Sequence, residues 1–248
     1  MTKITFLGTA SAVPGKDHQN THFIVETEER RILIDCVGNP IVRLEQADVD
    51  PLSITDLILT HFHPDHVSGM PLLLMDWWLL GRIKPIEIYG LHDVIDRAEQ
   101  MMILYDWMDW LNFYPVNFHR LPNDEQMVLI DDQQLKVWAS PVCHMIPGIG
   151  IKFKLPEAVL VYSSDTGPCD AVVLLAYQAD ILIHEATGSG NGHSSPEQAG
   201  QIAERAEVKR LFLIHYPPQI DTQEWAVRAK RTFSGDVIVA EDLMKVVL

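Results

Sequence analysis

Short apolar blocks bounded by turn residues dominate the first sixty positions. KITFLGT predicts a strand ending at Gly8. HFIVET and RRILIDC predict two more, joined by a turn at Glu28 and Glu29, so the chain opens on a hairpin. PIVRLEQADV changes period, with Ile41, Leu44 and Ala47 at helical spacing. SITDLILTHFH predicts a buried strand through Leu57, Ile58 and Leu59, and Pro64 stops its ladder. Met70 to Leu80 predicts an apolar helix closed by Gly81, and PIEIYG a strand. Asp93 to Asn112, with three methionines and two tryptophans, predicts one long helix facing the core or another subunit.

The second half opens on strands again. LKVWASPVCH predicts a strand ending at His144, and IGIKFKL with AVLVYSSD a hairpin ending at Asp165. DAVVLLAYQ predicts a short helix and DILIHEAT a strand. Ser195 to Ala206 predicts a helix, since Ser195-Pro196-Glu197 is a good cap with proline in the first turn. RLFLIHY predicts a strand ending at His215, followed by a helix near Glu224 to Arg231 and a last strand, DVIVA. Strands that open both halves, each then collecting helices, predict an α+β fold. It is a four-layer αββα sandwich of two β-sheets flanked by helices. No linker interrupts residues 1–248, so one domain is expected.

Composition adds limits. At 248 residues, 47% hydrophobic and 21% charged, the chain reads as an ordinary globular protein. No basic segment leads into an apolar one at the N-terminus. The longest apolar stretch is broken by Asp76, Gly81, Arg82 and Lys84, so no membrane span is expected. Three cysteines are too few for a disulfide scaffold, and a cytoplasmic location is expected. A formal charge of −15 disfavours non-specific binding to nucleic acid.

The chemistry concentrates in HFHPDH, residues 61–66. Four ionisable groups crowded past a buried strand need a compensating charge, which divalent metals supply. His61 and His63 alternate across Phe62 and can aim at one ion. Pro64 bends the chain, so Asp65 and His66 can face a second. His144, Asp165 and His215 each close an apolar run and complete a set of five histidines and two aspartates. Mixed nitrogen and oxygen donors of this kind suit two zinc-like ions, with Asp165 as the bridge.

His-x-His-x-Asp-His followed by a distant His, Asp and His resembles the ligand series of the metallo-β-lactamase superfamily over nearly the whole chain. The resemblance implies two divalent ions per chain, zinc first, with manganese or iron as alternatives. One would take His61, His63 and His144, the other Asp65, His66 and His215, with Asp165 bridging. Asp35, at the end of ILID, resembles the aspartate that steadies the histidine loop. Within the superfamily, FLGTASAVP, Asn20, ILIHEAT and GHSSPEQA resemble segments of ribonuclease Z, which trims the 3′ end of precursor tRNA. That likeness gives catalytic roles to Asp65, to His193 at the scissile phosphate, and to Glu185 as the partner of His193. It also allows a homodimer, for which the Trp- and Met-rich stretch is a candidate.

Three features depart from ribonuclease Z. That family carries a long arm between the positions of His144 and Asp165, where only twenty residues lie here. Its Asp-Cys-Gly-Glu is Asp35-Cys36-Val37-Gly38 here, and Tyr216-Pro217-Pro218-Gln219 replaces an Ala-Arg-Tyr-like segment. The expected function is therefore a binuclear phosphodiesterase acting on a small-molecule or nucleotide phosphodiester. The alternatives are a tRNA 3′-processing endonuclease, a lactonase or esterase, and a non-catalytic scaffold.

Overall fold

The computed structural model describes residues 1–248. The first half runs β1 (Lys3–Gly8), β2 (His22–Glu26), β3 (Arg31–Ile34), α1 (Pro40–Gln46), β4 (Asp56–Ile58), α2 (Pro64–Val67), α3 (Met70–Leu79), β5 (Ile86–Leu91), α4 (His92–Ile103) and β6 (Val116–Leu121). The second half runs β7 (Met127–Asp131), β8 (Lys136–Pro141), β9 (Ile149–Lys154), β10 (Val159–Tyr162), α5 (Asp170–Leu175), β11 (Ile181–Glu185), α6 (Pro196–Arg205), β12 (Arg210–Ile214), α7 (Thr222–Lys230), β13 (Asp236–Val239) and β14 (Lys245–Val247).

Two seven-stranded sheets result, ordered β14-β1-β2-β3-β4-β5-β6 and β13-β12-β11-β10-β9-β8-β7. Each half starts with antiparallel strands and continues with parallel ones; the first parallel pairs are β3–β4 and β10–β11. β14 belongs to the end of the chain but pairs with β1, closing the first sheet. Forty-nine buried residues form the main core, drawn from both sheets and from α1, α3 and α4. Sixteen more pack the second sheet against α5, α6 and α7. This is the expected αββα sandwich. Because β10, β11 and β12 are parallel neighbours, Asp165, the HEAT segment and His215 leave one rim together.

Local chemistry explains the helix ends. Ser195 Oγ accepts from Gln198 N at 3.3 Å while Gln198 Oε1 accepts from Ser195 N at 2.8 Å, a reciprocal cap that starts α6. Arg228 of α7 donates twice to Glu197 of α6, at 2.8 and 2.9 Å, and ties the two helices.

Several elements differ from expectation. The long helix over 93–112 ends at Ile103, and Asp106 takes a left-handed φ of 53° before a short turn at Trp107–Asp109. Residues 103–111 carry seven apolar side chains against two aspartates, Asp106 and Asp109, more apolar surface than one helical face buries. The chain folds back instead. Trp107 packs edge-on against Phe113, and Trp110 stacks on Trp78 at 5.3 Å. The LKVWASP strand stops at Pro141, short of His144, and β6, β7 and β14 have no counterpart in the sequence reading.

Candidate metal centre

All seven expected donors converge. Asp65 and His66 ride on the single turn α2, which Pro64 begins. His61, His63 and His144 bring donor atoms within 4.8 Å of one another, and so do Asp65, His66 and His215. Asp165 lies between these groups: its Oδ2 is 3.5 Å from His66 Nε2, 3.5 Å from His215 Nε2 and 3.8 Å from His61 Nε2.

The far nitrogen of each histidine decides which lone pair faces inward. His66 Nδ1 donates to Asp35 Oδ2 at 2.7 Å. His61 Nδ1 donates to Thr60 Oγ1 at 3.0 Å, and that hydroxyl donates to Asp35 Oδ2 at 2.9 Å. His144 Nδ1 donates to the Gly192 carbonyl at 3.0 Å. His215 Nδ1 donates to Thr187 Oγ1 at 2.8 Å, whose hydroxyl in turn donates to the His215 carbonyl at 2.7 Å. Four rings thereby present Nε2 without a hydrogen. His63 differs and turns Nδ1 inward, 3.1 Å from His61 Nε2 and 3.2 Å from His144 Nε2. Lone pairs that meet head-on repel, and His63 can donate to only one neighbour. Buried His66 Nε2, His215 Nε2 and Asp165 Oδ1 also lack any hydrogen-bond partner. Native interiors avoid such orphans. A cation removes all of these conflicts, so the donor set fits divalent metal.

The crowded groups shift one another strongly: burial lowers His66, but Asp165 and Asp35 raise it well above the usual imidazole range. Burial pushes the Asp165 carboxyl up, but His215, His66 and His61 around it hold it well below the usual carboxylate range. Burial drives His61 well below the usual imidazole range, and the neighbouring His66 adds to that. Backbone strain marks the same rim. Asp35, Ser164 and His215 are non-glycine residues with φ of 58°, 56° and 54°. Such positions cost about 1–3 kcal/mol each and cluster at functional sites. Gly192 has φ 76°, and a Cβ there would meet His144 Nδ1 at 3.1 Å.

Glu185 is fully buried at the end of β11 and saturated with donors. Its Oε1 accepts from Ser194 N at 2.7 Å and His193 Nδ1 at 3.2 Å, and its Oε2 from Thr187 N at 2.8 Å. The His193 ring lies 5.0 Å from that of His144 and is partly exposed, at 17% of its side chain. The Glu185 hydrogen bond raises His193 above its ordinary pKa, against the effect of burial. Thr60 and Thr187 were not expected at the site. A threonine next to a histidine is too common in sequence to signal a tautomer lock.

The β-lactamase superfamily domain model matches residues 30–216. Ribonuclease Z of Methanococcus maripaludis is 33% identical, across 98% of this chain and 98% of its own length. The crystal structure of human tRNase Z, short form, superposes with a TM-score of 0.82 at 27% identity, covering 99% of this chain and 98% of that one. The metallo-β-lactamase fold protein YhfI of Bacillus subtilis has a TM-score of 0.84 at 20% identity, covering 99% and 98%. Fold and donor set together define a metallo-hydrolase. The chain belongs to the metallo-β-lactamase superfamily and, within it, is ribonuclease Z-like.

Proposed function

We propose that the protein is a binuclear, zinc-dependent phosphodiesterase acting on small-molecule or nucleotide phosphodiesters in the cytoplasm, with residues 1–248 as one catalytic domain. His61, His63 and His144 would hold one ion and Asp65, His66 and His215 the other, with Asp165 within reach of both groups. The tautomer locks and the three orphaned donor atoms support this set. Bound there, the ions would supply Lewis acidity and lower the pKa of a water at neutral pH. Asp65, a carboxylate beside His66 and His215, would take up a proton during hydrolysis. Glu185 holds His193 by Nδ1, which leaves a proton at Nε2 for the departing oxygen.

The observation that carries the reaction type is the Glu185–His193 pair beside the donor cluster, which metal binding alone does not require. The experiment compares His193→Ala with wild type on two substrates. Metal content should stay unchanged. Turnover of an alkyl phosphodiester, whose leaving group needs a proton, should fall about 100-fold or more, the scale of general acid catalysis. A p-nitrophenyl ester should lose much less. Equal loss on both substrates, or none, would move a lactonase or esterase ahead.

Processing of precursor tRNA is the second reading, favoured by the names of the relatives. Two observations weigh against it. The span between His144 and Asp165 is used by β9 and β10, joined by a four-residue turn. The alignment with the M. maripaludis enzyme runs over 307 positions, more than the 248 residues of this chain, so the relative carries segments this chain lacks. Accurate single-site cleavage of precursor tRNA at physiological salt would restore that reading. A silent scaffold is the remaining alternative, and retention of all seven donors weighs against it.

A homodimer is part of the same proposal. Leu104, Met108 and Leu111 are 80–82% exposed and join Leu79 and Ile83 through the Trp78–Trp110 stack. Eight such side chains, counting Leu80, Ile103 and Tyr105, are each more than half exposed. A stable interface needs about 800 Å² per partner, and a second copy would cover this largely apolar face, in which the exposed Asp106 and Asp109 are also set.

A further inference from the structure

The group of Asp65, His66 and His215 is assembled across the two sheets. Asp65 and His66 lie on α2 of the first half, whereas His215 follows β12 of the second. How well the three converge therefore depends on what ties the sheets together at this rim. His215 is itself strained, with φ 54°. A backbone in that region persists only where its surroundings over-determine it. Those surroundings are built on the next residue, Tyr216, which is fully buried. Its N donates to the Thr9 carbonyl at 3.3 Å and its carbonyl accepts from Ser11 N at 3.0 Å. The chain leaving β12 is thereby stitched to the chain leaving β1.

Asp242, near the end of the chain, holds this seam. Tyr216 Oη donates to the Ala240 carbonyl at 2.6 Å. Thr9 Oγ1 lies 3.2 Å from the same oxygen and donates to Asp242 Oδ1 at 2.7 Å. Asp242 Oδ2 accepts from Gln19 N at 2.8 Å and from Arg43 Nη2. Arg43 of α1 also donates through Nε to the Leu7 carbonyl. One carboxylate, 8% exposed, thus joins α1, the end of β1, the residue before Asn20 and the link between β13 and β14. Charge-assisted bonds of this kind are the strong ones, and removing one partner leaves the other charge uncompensated. The group of His61, His63 and His144 has a tie of its own. There Ile149 N donates directly to the Thr60 carbonyl at 3.1 Å, joining the segment of His144 to that of His61.

We propose that Asp242, paired with Arg43, is a positioning residue for His215: acting through Thr9 and Tyr216, it sets the affinity of the ion at Asp65, His66 and His215 and leaves the other ion alone. This rests on the metal centre proposed above. Asp242 touches neither donor group; its effect passes along the Thr9 hydroxyl to the backbone seam at Tyr216, and from there to the strained residue that carries the imidazole. Without the carboxylate, Arg43 and Gln19 N lose their acceptor and the Thr9 side chain is free to turn away. His215 then faces Asp65 and His66 less squarely, while the bond from Ile149 to Thr60 keeps His61, His63 and His144 in place.

The test reads metal binding, not turnover. Competition with a chromogenic chelator gives the affinity of each ion, and NMR of the cadmium-loaded protein identifies each by its coupling to histidine ring protons. Asp242→Ala should weaken the ion coupled to His215 by about 10-fold or more and leave the ion coupled to His63 and His144 within about two-fold. Arg43→Met should do the same, and the double variant should be no weaker than the worse single one, because both remove one interaction. Thr9→Val, which deletes a single hydroxyl, should show a smaller loss at the same ion and keeps the test decisive if Asp242→Ala does not fold. Glu197→Gln, which loosens α6 from α7, should weaken neither ion. Equal weakening of both ions, additive losses in the double variant, or unchanged affinities would overturn the proposal. Should wild type hold one ion only, the binuclear reading fails separately. Coupling of that ion to His215, with the loss in Asp242→Ala, would then uphold the role of Asp242, and absence of that coupling would end it.

Discussion

Asp35→Asn changes one atom in a fully buried side chain and inverts the logic of the metal site. The carboxylate accepts from Thr60 N at 2.8 Å through Oδ1, and from Thr60 Oγ1 at 2.9 Å and His66 Nδ1 at 2.7 Å through Oδ2. An asparagine oxygen can keep the first bond. Its NH2 group then stands where Oδ2 stood and presents hydrogens to a ring that is itself donating. His66 must either lose that bond or move its proton to Nε2, the atom that faces Asp65 and Asp165. Hydrogen bonds to charged groups contribute about 1.5–3 kcal/mol. Loss of one such support weakens metal binding by about 10–100-fold, equivalent to about 1.4–2.7 kcal/mol. A competition titration against a chromogenic chelator, run on metal-free wild type and variant, measures this directly. The weaker of the two ions should show the loss, while the fold is retained by circular dichroism. Binding of both ions within three-fold of wild type would refute the tautomer argument and leave Asp35 as ordinary core.

Other outcomes follow from the same geometry. Elemental analysis of protein purified with metal present should find close to two divalent ions per chain, and Asp165→Ala should lose at least one; less than about half an ion in wild type would sink the seven-donor assignment. Glu197 is held at about 2, below its ordinary value of 4.5, chiefly by the Arg228 hydrogen bonds. Its contribution to stability is therefore full above pH 4.5 and lost as pH falls towards 2. Because both side chains are about a quarter exposed, Glu197→Gln should cost only about 1 kcal/mol at pH 7 in urea titrations. That difference should shrink steadily below pH 4.5; a pH-independent gap would assign the effect to helix capping. Leu104→Glu with Met108→Glu should convert a sedimenting dimer to monomer without lowering the melting temperature by more than a few degrees, and a monomeric wild type would remove the dimer proposal.

What the sequence made legible was local. HFHPDH carries four donors within six residues, and its proline turn is readable from adjacent positions. His144, Asp165 and His215 could be picked out because apolar strands lead to them. The tautomer partners could not: Thr187 meets His215 from 28 positions away and Gly192 meets His144 from 48. The sheets followed the same division. Strands buried on both faces, such as β4 and β12, stand out as apolar runs. β6 reads Val-Asn-Phe-His-Arg-Leu and sits at a sheet edge with much of its length exposed, so its pattern resembles a loop. The failed helix over 93–112 shows the limit of periodicity. Met101 to Leu111 offers apolar residues at almost every spacing, and packing against Trp78, Phe113 and Phe118 decides which of them turn inward.

The donors are also spread along the chain in a way that bears on folding. His61 stands at the end of the first sheet's central strands, while His215 lies 154 positions later on the second. An ion seated among them would act as a removable cross-link closing a loop of more than half the chain. In the unfolded ensemble such a closure has a large entropic cost, about 5 kcal/mol for a loop of this length on the covalent-bridge scale. Metal would then act late, after both sheets have formed. Stripping it should loosen the face between the sheets before it loosens either sheet.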